Sequence, residues 1–223
     1  MNELWASTVF LRTFLILLGM ILVISYYSMK LWVDLLPFTF FRILITPGIA
    51  IHEYSHAIAC LLTGAPVSSI TIFDKDGGSV VHGNPKIKII GPVIIAMAPI
   101  AGALLIFSLM GFLLNYPFNI KVNSFESFFK SLGNVPWTKW QVYLYLYACI
   151  NLMMTIAPSK QDLKNCQWGL IGTFIIICLL EYTKILNGQA LANKSIEFYV
   201  PFLIISMLCL LITVPFCLIK KSK

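Results

Sequence analysis

Acidic side chains are scarce here: Asp and Glu together number 9 in 223 residues, and charged residues of both signs make up only 11%. So thin a polar complement excludes a soluble globular domain, where roughly a quarter of residues are charged. No C-x-x-C pair occurs, and Cys60, Cys149, Cys166, Cys178, Cys209 and Cys217 all sit in or beside apolar runs. That excludes a disulfide scaffold and a cysteine zinc ribbon, leaving the cysteines as packing residues. No basic run interleaves with aromatics, so the net charge of +7 is not a nucleic-acid signature; Lys and Arg are spread over loops and the C-terminus, where they set topology. No small-x-small cleavage site follows the first apolar run, which is therefore read as a retained span. Nor is there a polar stretch that could build an accessory domain on either side of a membrane.

What fills the chain is apolar: 59% hydrophobic residues and a mean hydropathy of +0.87. This predicts an all-α polytopic membrane protein forming a single integral membrane domain over 1–223, with about six spans. The spans are expected at approximately 9–29, 38–62, 87–114, 140–157, 162–186 and 196–219. Residues 67–82 are rich in β-branched side chains on both sides of Lys75-Asp76-Gly77-Gly78, which predicts a β-hairpin at the membrane surface after the second span. Between the third and fourth spans, Phe125, Phe128, Phe129 and Leu132 fall at i, i+3, i+4 and i+7. With Ser124 as N-cap, they predict a short interfacial helix over 124–132, anchored by Trp137 and Trp140. Six spans put both termini on one side, and Lys220, Lys221 and Lys223 favour the cytoplasm.

Against this background, His52-Glu53-Tyr54-Ser55-His56 stands out, because it places two of the three histidines and an acid inside an apolar helix. At 100° per residue His56 lies about 40° around the axis from His52, and Glu53 about 60° beyond His56, so the three share one sector. Two neutral imidazoles one turn apart suit a zinc ion, and the adjacent carboxylate suits proton transfer from zinc-bound water. A hydrolytic zinc takes a third protein ligand and keeps a position for water. The candidates near apolar segments are Asp162, Glu181 and His82. Span parity selects among them: the second span ends on the face to which the fourth returns, so Asp162 is on the motif's side while Glu181 falls at the far end of the fifth span. The histidines lie roughly 9 to 15 Å in from their helix end, so the segment carrying Asp162 must dip inward, which the break at Pro158 permits. Asp162 also fits the pattern Ser159-x-x-Asp162 of an N-terminal capping carboxylate.

The motif within an apolar helix, the hairpin after it, Gly91-Pro92 opening the third span, and Asn151 followed by Pro158 and Asp162 together resemble the site-2 protease family of intramembrane zinc metallopeptidases. The likeness covers about residues 38–185. Here Asp162 is followed by Leu163 rather than the usual glycine, and Gly91-Pro92 lacks a following asparagine, so the chain reads as a divergent, minimal member without a PDZ domain. The resemblance implies one zinc held by His52, His56 and Asp162, Glu53 as catalytic base, and Asn151 assisting at the site. It implies cleavage of a membrane-protein or membrane-peptide substrate in the lipid bilayer, in the cell membrane of a prokaryote. Two other readings are a metal-binding transporter or scaffold without hydrolysis, and a membrane zinc protease of another lineage, whose third ligand would be Glu181 or a histidine. The first lacks further aligned polar residues and an internal repeat; the second runs against span parity. Oligomeric state has no signal in the sequence.

Overall fold

A computed structural model describes residues 8–35, 37–74, 77–115, 126, 130, 131 and 133–221. In chain order its elements are α1 (Val9–Leu35), α2 (Phe38–Thr63), β1 (Val67–Asp74), β2 (Gly77–His82), α3 (Gly91–Leu113), α4 (Trp140–Thr155), α5 (Lys160–Tyr182) and α6 (Gly188–Lys221). The protein is mostly helical, with one antiparallel hairpin among the described residues. The expected helix over 124–132 lies largely outside the described residues, as do Lys75 and Asp76 of the hairpin turn.

Among the described residues three helices, Val9–Val33, Gly91–Leu113 and Lys160–Tyr182, are long and apolar enough to cross a membrane. The protein is accordingly an integral membrane protein. Two of the departures from six such helices have physical causes: α4 has 16 residues, about 24 Å of helix, and α2 carries Arg42, His52, Glu53 and His56, which dilute its apolar character. Many large apolar side chains face outward, among them Leu62 at 75% exposure and Trp168 at 77%. Only lipid makes that exposure favourable on such a scale.

The main core joins α1, α3, α4 and α6 through Leu17, Ile21, Phe107, Tyr145, Leu152 and Phe202. Phe107 stands at its centre, with its ring centroid 4.8 Å from Phe202 and 5.2 Å from Tyr145. On one flank α2 packs against α3 and α4, and the hairpin lies on α2; α5 reaches this region by packing on α3.

Local sequence explains how α2 is held. Pro47 interrupts its hydrogen-bond ladder, and α4 supports the backbone on both sides of the interruption. The Tyr147 hydroxyl donates to the Leu44 carbonyl at 2.8 Å, and the Gly48 N–H donates to Asn151 Oδ1 at 3.4 Å. A Cβ at Gly48 would lie 2.7 Å from both the Asn151 carbonyl oxygen and Thr155 Oγ1, so only glycine permits this approach of α2 to α4. The helix ends at Gly64, whose φ of 72° is open chiefly to glycine. The chain then enters the hairpin, in which Val67 pairs with His82 and Thr71 with Ser79. Gly91-Pro92 starts α3 instead of kinking it, because proline at the first turn gives up no intrahelical bond.

Candidate metal centre

Each residue of the motif on α2 faces a different neighbour. The His52 Nδ1–H donates to the Thr155 carbonyl at the end of α4. The His56 Nδ1–H donates to the Ile95 carbonyl of α3 at 2.8 Å. A carbonyl only accepts, so both rings carry a proton on Nδ1, and in the neutral ring this leaves the lone pair at Nε2. These two Nε2 atoms lie 3.2 Å apart. With both rings neutral, two lone pairs at that separation can be satisfied together by one cation. Glu53, only 6% exposed, faces the third neighbour, the hairpin, at Gly78.

Asp162 arrives from α5. After α4 ends at Thr155 the chain breaks over 156–159 and restarts with Ser159 as N-cap. Ser159 Oγ accepts from the Asp162 N–H at 3.1 Å, and Asp162 Oδ2 accepts from the Ser159 N–H at 2.8 Å, which completes a capping box. The same Oδ2 lies 3.5 Å from His56 Nε2. The capping role and the approach to the histidines, alternatives in the sequence, thus occur together. The helix restart fixes the direction of the carboxylate, and the break over 156–159 lets it sit beside α2.

His52, His56 and Asp162 place one ligand atom each within 4.8 Å of one another, a group that could hold a metal ion. Two imidazole nitrogens and a carboxylate oxygen form a donor set suited to a borderline divalent metal such as zinc, and the backbone carbonyls behind both rings provide the orienting shell that such ligands need. His82 is not in this group. It sits at the end of β2, where its Nδ1–H donates to the Gly83 carbonyl, and it lines a cavity of about 240 Å³ together with Asn84, Asn165 and Asp162. Glu181 is remote, 19 residues beyond Asp162 on the same helix and therefore about 28 Å away along its axis. Its buried carboxylate accepts from the Phe10 N–H at 2.8 Å and the Leu11 N–H at 3.0 Å, capping the start of α1. The Asn151 side chain, 3% exposed, meets backbone at both ends: Oδ1 accepts from Gly48 and Nδ2 donates to the Tyr147 carbonyl at 3.3 Å.

The sequence pattern of the peptidase M50B-like family matches residues 14–211. The chain belongs to this family of site-2 proteases. No curated protein and no solved structure matches it. Membership makes the protein a membrane metallopeptidase, and the matched region contains every residue of the centre just described. Three contributors escape sequence reasoning. The carbonyls of Thr155 and Ile95 are backbone groups, carrying no side-chain signal. Gly78 is visible in the sequence only as half of a Gly-Gly turn signal.

Proposed function

We propose that the protein is a zinc metalloendopeptidase that hydrolyses a peptide bond within or beside a transmembrane segment of a membrane-protein or peptide substrate. The observation that carries this reading is the pair of backbone-oriented Nε2 lone pairs, 3.2 Å apart, with a carboxylate oxygen 3.5 Å from one of them. His52, His56 and Asp162 would hold one zinc ion. Bound there, zinc supplies a Lewis acid for the scissile carbonyl and lowers the pKa of water to about 7. Glu53 takes the proton of the attacking water and delivers it to the leaving amine, a task suited to a carboxylate held in an apolar wall. The Thr155 and Ile95 carbonyls keep both rings in the Nδ1–H tautomer through the cycle. The substrate helix unwinds before attack, since its carbonyls are otherwise occupied, and the free edge of the hairpin receives the unwound segment by strand addition.

In this reading the whole chain is one integral membrane domain in which α1 to α6 all cross, with the C-terminus cytoplasmic in a prokaryotic plasma membrane. The test uses purified protein in vesicles with a single-span test substrate. Glu53→Gln is expected to retain zinc and to lose at least about 10²-fold in kcat. Cleavage by Glu53→Gln at the wild-type rate refutes the protease mechanism, and zinc binding without cleavage by the wild type across a panel of spans supports a scaffold.

A further inference from the structure

We infer that strand β2 forms a wall of the catalytic pocket and that Gly78 is a positioning residue, whose missing side chain makes the space that Glu53 occupies. This rests on Glu53 acting as the base. A Cβ built at Gly78 would lie 2.6 Å from both Glu53 Cγ and Glu53 Oε1, and 2.7 Å from Ile49 Cγ2. The backbone of β2 therefore touches the carboxylate arm directly.

The three residues of the motif are secured in different ways. His52 and His56 are each tied to a carbonyl of a neighbouring helix. Glu53 makes no hydrogen bond among the described residues, so packing alone sets its direction. On one side is Ile49, one turn earlier on the same face of α2. Ile49 packs against a cluster of Phe41, Ile45 and Met154 and has little room to yield. On the other side is Gly78. The hairpin is held at its base by the Gly83 N–H donating to the Pro66 carbonyl at 2.9 Å and the Lys86 N–H donating to the Thr63 carbonyl at 3.0 Å. Beyond that base, β2 itself packs on α2. A methyl group at position 78 displaces the softest of its neighbours, the end of the Glu53 side chain, and leaves the histidines in place.

The sequence signal at this position reads as a turn glycine, yet the close approach is to a different element. Gly78 lies within β2, at a shift in register between the Thr71–Ser79 and Asp74–Gly77 pairs, and has no positive φ, so a left-handed backbone does not account for glycine here. The space taken by Glu53 does.

The experiment compares wild type, Gly78→Ala, Gly19→Ala and Glu53→Gln, reconstituted with a single-span substrate of 20 residues bearing glycine and serine at its centre. Gly19 lies on α1, and a Cβ there would meet nothing within 4 Å. Gly78→Ala is expected to lower kcat by about 10²-fold, the cost of misplacing a reacting group by about 1 Å, with KM within about threefold of wild type. Its zinc affinity, read by competition with a chromophoric chelator, is expected to stay within about threefold, and Gly19→Ala to behave as wild type. A Gly78→Ala enzyme with wild-type kcat, or one that loses zinc affinity along with activity, overturns the inference. If Glu53→Gln itself cleaves normally, the underlying reading of Glu53 fails instead, so the two failures are separable.

Discussion

The carboxylate of Asp162 does two jobs with one oxygen, and substitution separates them. Asp162→Asn keeps an oxygen to accept from the Ser159 N–H but loses the negative charge beside His56 Nε2. Ser159→Ala does the reverse: it deletes the hydroxyl that accepts from the Asp162 N–H and leaves the carboxylate in place. In wild type, zinc at 100 times its dissociation constant adds about 2.7 kcal/mol to stability. Loss of a ligand weakens binding at least as much as loss of an orienting partner, for which the upper range is about 100-fold. At the same zinc concentration the gain for Asp162→Asn then falls to RT ln 2, about 0.4 kcal/mol. With about 2–4 °C per kcal/mol for a chain of this size, the zinc-induced rise in Tm drops from about 5–10 °C to about 1 °C. Ser159→Ala lowers the starting stability by about 1 kcal/mol, the worth of a helix cap, and keeps the full zinc-induced rise. The assay is thermal unfolding of chelator-stripped protein in detergent across a zinc titration. A rise for Asp162→Asn equal to that of wild type refutes the assignment of the carboxylate to the metal. A Ser159→Ala variant that loses the rise shows that the helix restart itself, and not the charge, makes the site.

Other substitutions report on the supports of the centre. Gly48→Ala forces a methyl group against the Asn151 carbonyl and Thr155 Oγ1 and is expected to cost about 1–3 kcal/mol; because Thr155 also holds His52, zinc affinity falls with stability, and unchanged zinc titration in a destabilised protein contradicts the coupling. Tyr147→Phe removes the donor to the Leu44 carbonyl and is expected to cost about 1 kcal/mol with the zinc stoichiometry unaltered, measured by thermal unfolding and metal analysis. Glu181→Gln removes the charge that caps α1 and is expected to lose about 1–2 kcal/mol, with faster hydrogen exchange at the Phe10 and Leu11 amides and no change in bound zinc. Loss of zinc in that variant would return Glu181 to the list of ligands.

Much of this architecture is legible in the sequence because it follows from periodicity and from the cost of polar groups in an apolar setting. The histidine motif announces itself by its helical spacing, and span parity distinguishes Asp162 from Glu181 without reference to orientation. The hairpin is legible from β-branched residues flanking a Gly-Gly pair. Helix ends are less so: α3 begins at Gly91 rather than 87, since proline at a first turn starts a helix as readily as it kinks one. The backbone carbonyls of Thr155 and Ile95 are illegible because every residue has one, and only the tertiary fold decides which of them meets a ring nitrogen. The close approach at Gly78 shares that origin. A glycine in sequence signals flexibility or turns, whereas here its meaning lies in what another element places where its side chain would be.

Asp162 follows His56 by 106 residues, the difference of their positions, and stands on a helix that is made after α3 and α4. At a synthesis rate of about 5–20 residues per second, the histidines of α2 are made about 5–20 s before the carboxylate that joins them. During that interval the emerging chain holds a two-histidine fragment and no complete centre. The order of elements therefore acts as a biosynthetic delay, and the candidate metal centre can be completed only after α1 to α4 have been made.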